Sequence, residues 1–323
     1  MNAAPWVLSF LAAAACALTP QSSIAQAYPS KPVHLVVPFP PGGPTDIFGR
    51  VLAQKMAPEL GQPVLVENRP GAGGTIAAEL VAKLPGDGYT LFFGTSGTHG
   101  SAPALYPKLG YDPVKSFTPI SLLINSPLVV GASGALPANS LKEVIAYARS
   151  HPGKLSYASG NLAGNIVGEM FKIQGGIEMV HVPYKGAAPA VTDLVADRVQ
   201  LMFDLHTAFQ AFLSSGKVKL LAVTAAKRSA RLPDVPTSAE AGLPGFEFSV
   251  WFALFAPKGL PGEVQQRLNA EVQKALATRE VREAFANQGM EPAGSTPEQL
   301  AALMAEDIPK WMRAVQASGA KVD

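Results

Sequence analysis

Short, β-rich apolar runs alternate along the chain with longer stretches whose apolar residues recur at helical spacing. "VHLVVPF" (33–39) is followed by "DIFGRVLAQKMAPEL", in which Ile47, Phe48, Val51, Leu52, Met56 and Leu60 fall on one helical face. Gly61 marks the stop. "VLVEN" (64–68) predicts a second strand, "GTIAAELVAKL" (74–84) a helix, and "YTLFFGT" (89–95) a third strand. Connections of that length hold a crossover helix, so the sheet is expected to be largely parallel.

The same grammar returns in the middle of the chain. "KLSYAS" (154–159), a helix from about Ala163 to Gln174, "EMVHVPY" (178–184), a helix from about Ala187 to Asp197, and "VQLMFD" (199–204) make a second β-α-β-α-β series. The fold class is therefore α/β with two doubly wound halves. "FTPISLLINSPLVVGASG" (117–134), broken at Pro127, fits a strand that crosses from one half to the other, and "FSVWFALFAPKG" (248–259) is its return partner. Helices are expected from 261 to 315, covering the first half again. The resulting division is 28–125 with 228–323 as one discontinuous domain and 126–227 as the other.

Composition changes this picture little, but it excludes several function classes. The 323 residues carry 26 Lys and Arg against 24 Asp and Glu, 48% hydrophobic and 15% charged, which suits a globular chain with a full apolar core. A net charge of +2 without basic blocks leaves no footprint for nucleic acid. Residues 1–27 stand apart: "WVLSFLAAAACAL" has the length of a signal-peptide apolar region, and "TPQSSIAQA" ends in the A-x-A pattern Ala25-Gln26-Ala27. Cleavage after Ala27 predicts an exported mature chain starting at Tyr28. The only cysteine, Cys16, lies in the leader, and export without disulfides suits a bacterial periplasm.

Glycine-rich turns follow the strands: "PFPPGGPTD", "NRPGAGGT" and "GTSGTHGS" in the first half, "ASGNLAGN" and "PYKGAAPA" in the second. In open α/β sheets ligands sit beyond the carboxyl ends of the strands, where helix N-termini favour an anion. Catalytic chemistry is thin by comparison. His34, His99, His151, His181 and His206 are scattered, with no HExxH pair, and each is better accounted for as a surface or core residue. No G-x-S-x-G elbow occurs, and "GAGGT" lacks the rest of a dinucleotide or P-loop fingerprint. Asp46 is placed to cap the first helix. Asp204, ending "VQLMFD", is either a ligand contact or a fixer of its loop, and Lys185 is an exposed turn lysine or a cationic contact.

The stretches "YPSKPVHLVVPFPPGGPTDIFGRVLAQKM", "VLVENRPGAGGTIAAELVAK", "DGYTLFFGTSGTH", "HVPYKGAAPAVTDLVADRVQLMFD" and "LAVTAAKRSARLPDVPTSAEAGLPGFEFSVWFALFAPKGLP" together resemble the Bug family, the periplasmic solute receptors of tripartite tricarboxylate transporters. The resemblance covers the mature chain. It implies a type II periplasmic-binding-protein fold, two α/β domains joined by crossing strands, acting as a monomer without a cofactor. It also implies a non-enzymatic role: capture of a small organic acid, closure about a hinge, and delivery to a membrane permease. By the same resemblance the ligand is held by Phe39, Pro40, Gly42, Gly43 and Asp46 on one wall and Ser159, Gly160, Asn161 and Ala163 on the other. Thr95, Ser96 and Thr98 line the floor, and Asp204 stands at the rim. Ala163 and Asn165 replace a hydroxyl and a histidine common in the family, and "FDLHTAF" brings His206 and an aromatic residue near the cleft. An aromatic carboxylate is then as consistent as an aliphatic diacid. Two alternatives stay open: a ligand-sensing partner of a membrane signalling kinase, and a secreted α/β enzyme acting on a small carboxylate.

Overall fold

The computed structural model describes residues 28–320 apart from 289 and 291. The leader, Cys16 and the expected cleavage site after Ala27 lie outside the described residues.

Two five-stranded sheets are present among these residues. In the first, β1 (Val33–Val37) lies between β2 (Val64–Asn68) and β3 (Thr90–Thr95), parallel to both. Two long antiparallel strands complete it, β10 (Ser249–Pro257) beside β3 and β4 (Phe117–Pro127) on the far edge. In the second, β6 (Ser156–Ser159) is parallel to β7 (Val180–Pro183) and β8 (Leu201–Asp204). Strand β5 (Val129–Ser133) runs antiparallel between β8 and β9 (Val218–Val223). The parallel core of each sheet is as expected from the repeated strand-helix pattern, and the antiparallel members are the crossing strands and their neighbours.

Local sequence explains where the helices begin and end. Helix α1 (Pro44–Leu60) starts with a proline, whose fixed φ suits the first turn. It stops at Gly61, whose φ of 70° and N–H to the Ala57 and Pro58 carbonyls make a left-handed cap. Its buried face, Phe48, Leu52, Met56 and Leu60, packs on the β1 and β3 side of the first sheet. Each such side chain contributes about 1.5–3 kcal/mol on burial. Helix α2 (Thr75–Ala82) covers the other face through Ala77, Ala78 and Val81. After the short α3 (Ala102–Leu105) comes α4 (Leu141–Ser150), followed by α5 (Leu162–Gly175) and α6 (Ala187–Val195) on the second sheet. The short α7 (Gln210–Leu213) precedes α8 (Gly262–Ala277), α9 (Arg279–Asn287) and the long α10 (Pro297–Ser318).

Two segments pack differently from the sequence-based division. Ala241, Leu243, Phe246 and Phe248, expected with the first domain, lie in the core of the second sheet. Ser238 donates its N–H to the Val223 carbonyl, which continues the second sheet's edge past β9. The chain crosses back only at Phe248. Trp311, Ala314 and Val315 of α10 also join the second core, whereas Leu300, Met304 and Ile308 earlier in the same helix pack on the first sheet. Helix α10 therefore belongs to both cores. A helical stretch reaching to 315 was expected over the first half alone, and its sequence does not say that it serves two sheets.

The crossings meet at Thr224. Its hydroxyl lies 2.9 Å from the Leu128 carbonyl and 2.5 Å from that of Phe248, tying the outgoing strand to the returning one. Leu128 N–H also donates to Phe248 O, and Thr224 N–H to Leu128 O.

Candidate functional site

The turn after β1 is held by side chains behind it. Asp46, buried in the first turn of α1, accepts the Gly42 N–H at 2.9 Å, Asn68 Nδ2 at 2.9 Å and Arg50 Nε at 3.0 Å. Asn68, the last residue of β2, also donates to the Phe39 carbonyl at 3.0 Å. Burial pushes the Asp46 carboxyl up, but the donors from Arg50, Gly42 and Asn68 outweigh it and hold the group below its ordinary value. Asp46 is thus an ionised clamp on the loop. The Gly42 amide and the Asp46 oxygens, both expected at the ligand, are engaged with each other. Gly43 is different, because as N-cap residue it has no side chain to satisfy the first-turn amides of α1. Pro40 is exposed on the same loop.

The floor is a single π-helical turn, Ser96–Ser101, capped reciprocally by two threonines. Thr95 N–H donates to Thr98 Oγ1 at 2.9 Å, and Thr98 N–H to Thr95 Oγ1 at 3.1 Å. Thr98 is completely buried, and its hydroxyl also meets His99 Nδ1 at 2.9 Å. Thr95 and Thr98 therefore build the floor from beneath, and Ser96 is the residue of the three that borders open space. His99 stacks on Phe255 with ring centroids 4.2 Å apart, and burial holds its pKa down to about 3. It is a neutral core residue.

On the second wall Asn161 Oδ1 caps α5 by accepting the Gly164 N–H at 2.8 Å. Its Nδ2 donates to Asp204 Oδ2 at 3.0 Å, and Asp204 Oδ1 accepts the Leu205 N–H at 2.7 Å. Asp204 is buried, and that burial, opposed by the Leu205 and Asn161 donors, pushes its carboxyl up to about 6. The Ser159 hydroxyl is 2.7 Å from His181 Nε2, and His181 stacks on Tyr157. Gly160 is packed so closely that a Cβ would lie 2.5 Å from the carbonyl carbon of Gly186. Gly186 opens α6 and, like Gly43, supplies no side-chain cap.

The two walls approach each other behind the floor. Ser96, Gly97 and Ser101 from the first and Leu162, Ala163 and Ile166 from the second enclose a cavity of about 80 Å³ closed by Trp311. A larger cavity of about 490 Å³ opens on the second wall between α6, Asp204 and α7. Sequence reasoning named residues of both expected walls and did not single out Asn68, Trp311 or the contact of His181 with Ser159. Asn68 had a legible signal, an amide at the end of a parallel strand beside a glycine turn. His181 and Trp311 had none, because their partners are far away in the chain.

Among the described residues no group of His, Cys, Asp and Glu is placed to hold a metal, and no helix is long and apolar enough to cross a membrane. Residues 48–320 match the family model described as the tripartite tricarboxylate transporter family receptor. The chain belongs to that receptor family. Relatives include a UPF0065 protein from the tcbD-tcbE intergenic region of Pseudomonas sp. strain P51, 41% identical over 94% of this chain and 92% of its own. Protein BugT of Bordetella pertussis is 38% identical over 92% of each chain. Among solved structures, R. palustris Rpa4515 with adipate superposes with a TM-score of 0.73 at 38% identity, covering 91% of this chain and all of the other. A ligand-free TctC solute-binding protein from Polaromonas reaches 0.82 at 28% identity, covering 90% and 99%. This is a Bug-type, TctC-like receptor of periplasmic-binding-protein fold, and membership of a solute-binding family decides against the enzyme alternative.

Proposed function

We propose that the protein captures a small organic carboxylate between its two walls in the periplasm, after cleavage at Ala27, and delivers it as a monomer to a tripartite tricarboxylate permease. The observation that carries this reading is that a helix packed on each sheet starts without a side-chain cap, at Gly43 on the first and Gly186 on the second. Orphan N–H groups and the helix dipole accept an anion without any buried Lys or Arg. The adipate in Rpa4515 supports a carboxylate as the ligand class.

The movable units are one domain built on the first sheet and another running from Leu128 through Phe248, jointed where Thr224 ties the crossings. The better superposition on the ligand-free Polaromonas receptor, despite lower identity, supports a difference in domain placement between liganded and free relatives. A carboxylate that binds the closed form better than the open one drives closure.

Mature protein in a thermal-shift screen with mono- and dicarboxylates tests the reading. Ligand at 100 times Kd adds about 2.7 kcal/mol of stability, so a binder raises Tm clearly. A broad panel at millimolar concentration without any shift contradicts the proposal, and mass spectrometry of ligand released from natively purified protein identifies the acid. Uptake assays with and without the receptor then separate delivery to a permease from signalling through a kinase.

A further inference from the structure

The cavity of about 490 Å³ on the second wall has an unusual lining. Ala187, Val191, Leu205, Ala208 and Phe212 give it an apolar body, and Asp204 is the one charged residue on its surface. That carboxylate has Asn161 Nδ2 and the Leu205 N–H as donors, one on each oxygen, and no Lys, Arg or His lines the cavity. A carboxylate has about four lone-pair sites, so two donors leave acceptor capacity free. A second anion entering this space meets a negative charge with no Lys, Arg or His among the lining residues, in an apolar setting where screening is weak. A donor or cation is favoured there for the same reason.

Resting on the receptor function proposed above, we infer that this cavity takes the far end of the ligand and selects a monocarboxylate with an apolar body ending in a hydrogen-bond donor, ammonium before hydroxyl, over a dicarboxylate of equal length. The ligand carboxylate stays with the helix-start amides, and the far end donates to Asp204. Specificity comes from the repulsion of the second carboxylate as much as from attraction of the donor.

Calorimetric titration of the mature protein at pH 7.5 with matched ω-amino, ω-hydroxy and α,ω-dicarboxylic acids of four to eight carbons tests this. The expected order is amino tighter than hydroxy and hydroxy tighter than diacid, with about tenfold or more between the extremes. Asp204→Asn should collapse or reverse the ratio. Ala208→Phe, which fills the cavity, should weaken the longer members of all three series more than the shortest acids. Diacids that bind wild type as well as or better than the amino acids, or a ratio untouched by Asp204→Asn, overturn the inference and leave the receptor function standing. If no acid of any series binds, the inference falls, and the broad thermal-shift panel decides the receptor function separately. The wild-type ratio itself requires no substitution, so a poorly folding variant does not remove the test.

Discussion

At the scale of single residues, the turn after β1 divides its labour between a clamp and a holder. Asp46 receives three donors from loop, strand and helix, so Asp46→Ala takes the acceptor from the Gly42 N–H, from Arg50 and from one hydrogen of the half-buried Asn68 amide. A cost of about 1–3 kcal/mol is expected, read as a lower urea midpoint with the site loosened as a consequence. Gly43 has a φ of −78°, and a Cβ added there would lie 3.7 Å from the Pro40 carbonyl, an ordinary contact. Gly43→Val should therefore change the urea midpoint little and yet weaken carboxylate binding by about tenfold or more by crowding the first-turn amides. Unchanged affinity in Gly43→Val would place the anion elsewhere.

Asp204 contrasts with Asp46, because burial outweighs its donors. Its folded value of about 6 lies above that of an unfolded aspartate, so the folded state holds the proton more tightly. Its contribution to stability is fully present below about pH 4 and lost as pH rises through about 6. The shift corresponds to about 3 kcal/mol at most. Asp46 titrates with the opposite sign, so the informative quantity is the difference between wild type and Asp204→Asn. Wild type should lose more unfolding free energy than the variant between pH 4 and pH 7.5, and parallel curves would show that Asp204 is better solvated than its burial implies.

At the scale of elements, close backbone approach positions the second wall. A Cβ on Gly160 would sit 2.5 Å from Gly186 C and 2.6 Å from Ala187 N, which are backbone atoms that cannot rotate away. Gly160→Ala must push the start of α6 off β6, costing about 1–3 kcal/mol and displacing the amides and cavity wall that α6 brings. Chemical denaturation and binding isotherms should both worsen, and a variant with a wild-type midpoint would mean that α6 moves freely.

The same scale shows what was readable beforehand. The parallel strands and α1, α2, α5 and α6 were legible because period and glycine punctuation agree there. Helix α4 and strand β9 were not anticipated, although "LKEVIAYARS" carries a Ser140 cap: they fall outside the two repeated series. The site was half legible. Glycine turns mark where the proposed reading brings backbone to the ligand, but which side chains hold those turns depends on contacts such as Asn68 to Phe39 and Asn161 to Asp204, which pair distant parts of the chain. Reciprocal capping by Thr95 and Thr98 is similarly hidden, since their hydroxyls could equally have faced the cleft.

At the scale of the whole molecule, α10 determines how far the two units act independently. Its early turns pack on the first sheet and its late turns on the second. Trp311, nearly fully buried, lies at the change-over: its ring is the nearest neighbour a Cβ on Gly100 would meet, at 3.0 Å, and it packs edge-on to Phe248 at 5.8 Å. Trp311 thus links the π-helical floor of one wall to the returning crossover of the other. Truncation to alanine removes a large buried side chain, at a cost of about 3–5 kcal/mol. That loss falls mostly on the coupling between the units, because both sheets keep their other helices. Wild type should unfold in one urea transition followed identically by tryptophan fluorescence and circular dichroism. Trp311→Ala should show two transitions, or a lower apparent m-value as cooperativity breaks. The same cavity gives the domains room to rotate, so the variant should also bind its carboxylate more weakly if closure depends on this contact. A single, merely shifted transition with full m-value would mean that Thr224 and the crossing strands alone couple the two halves.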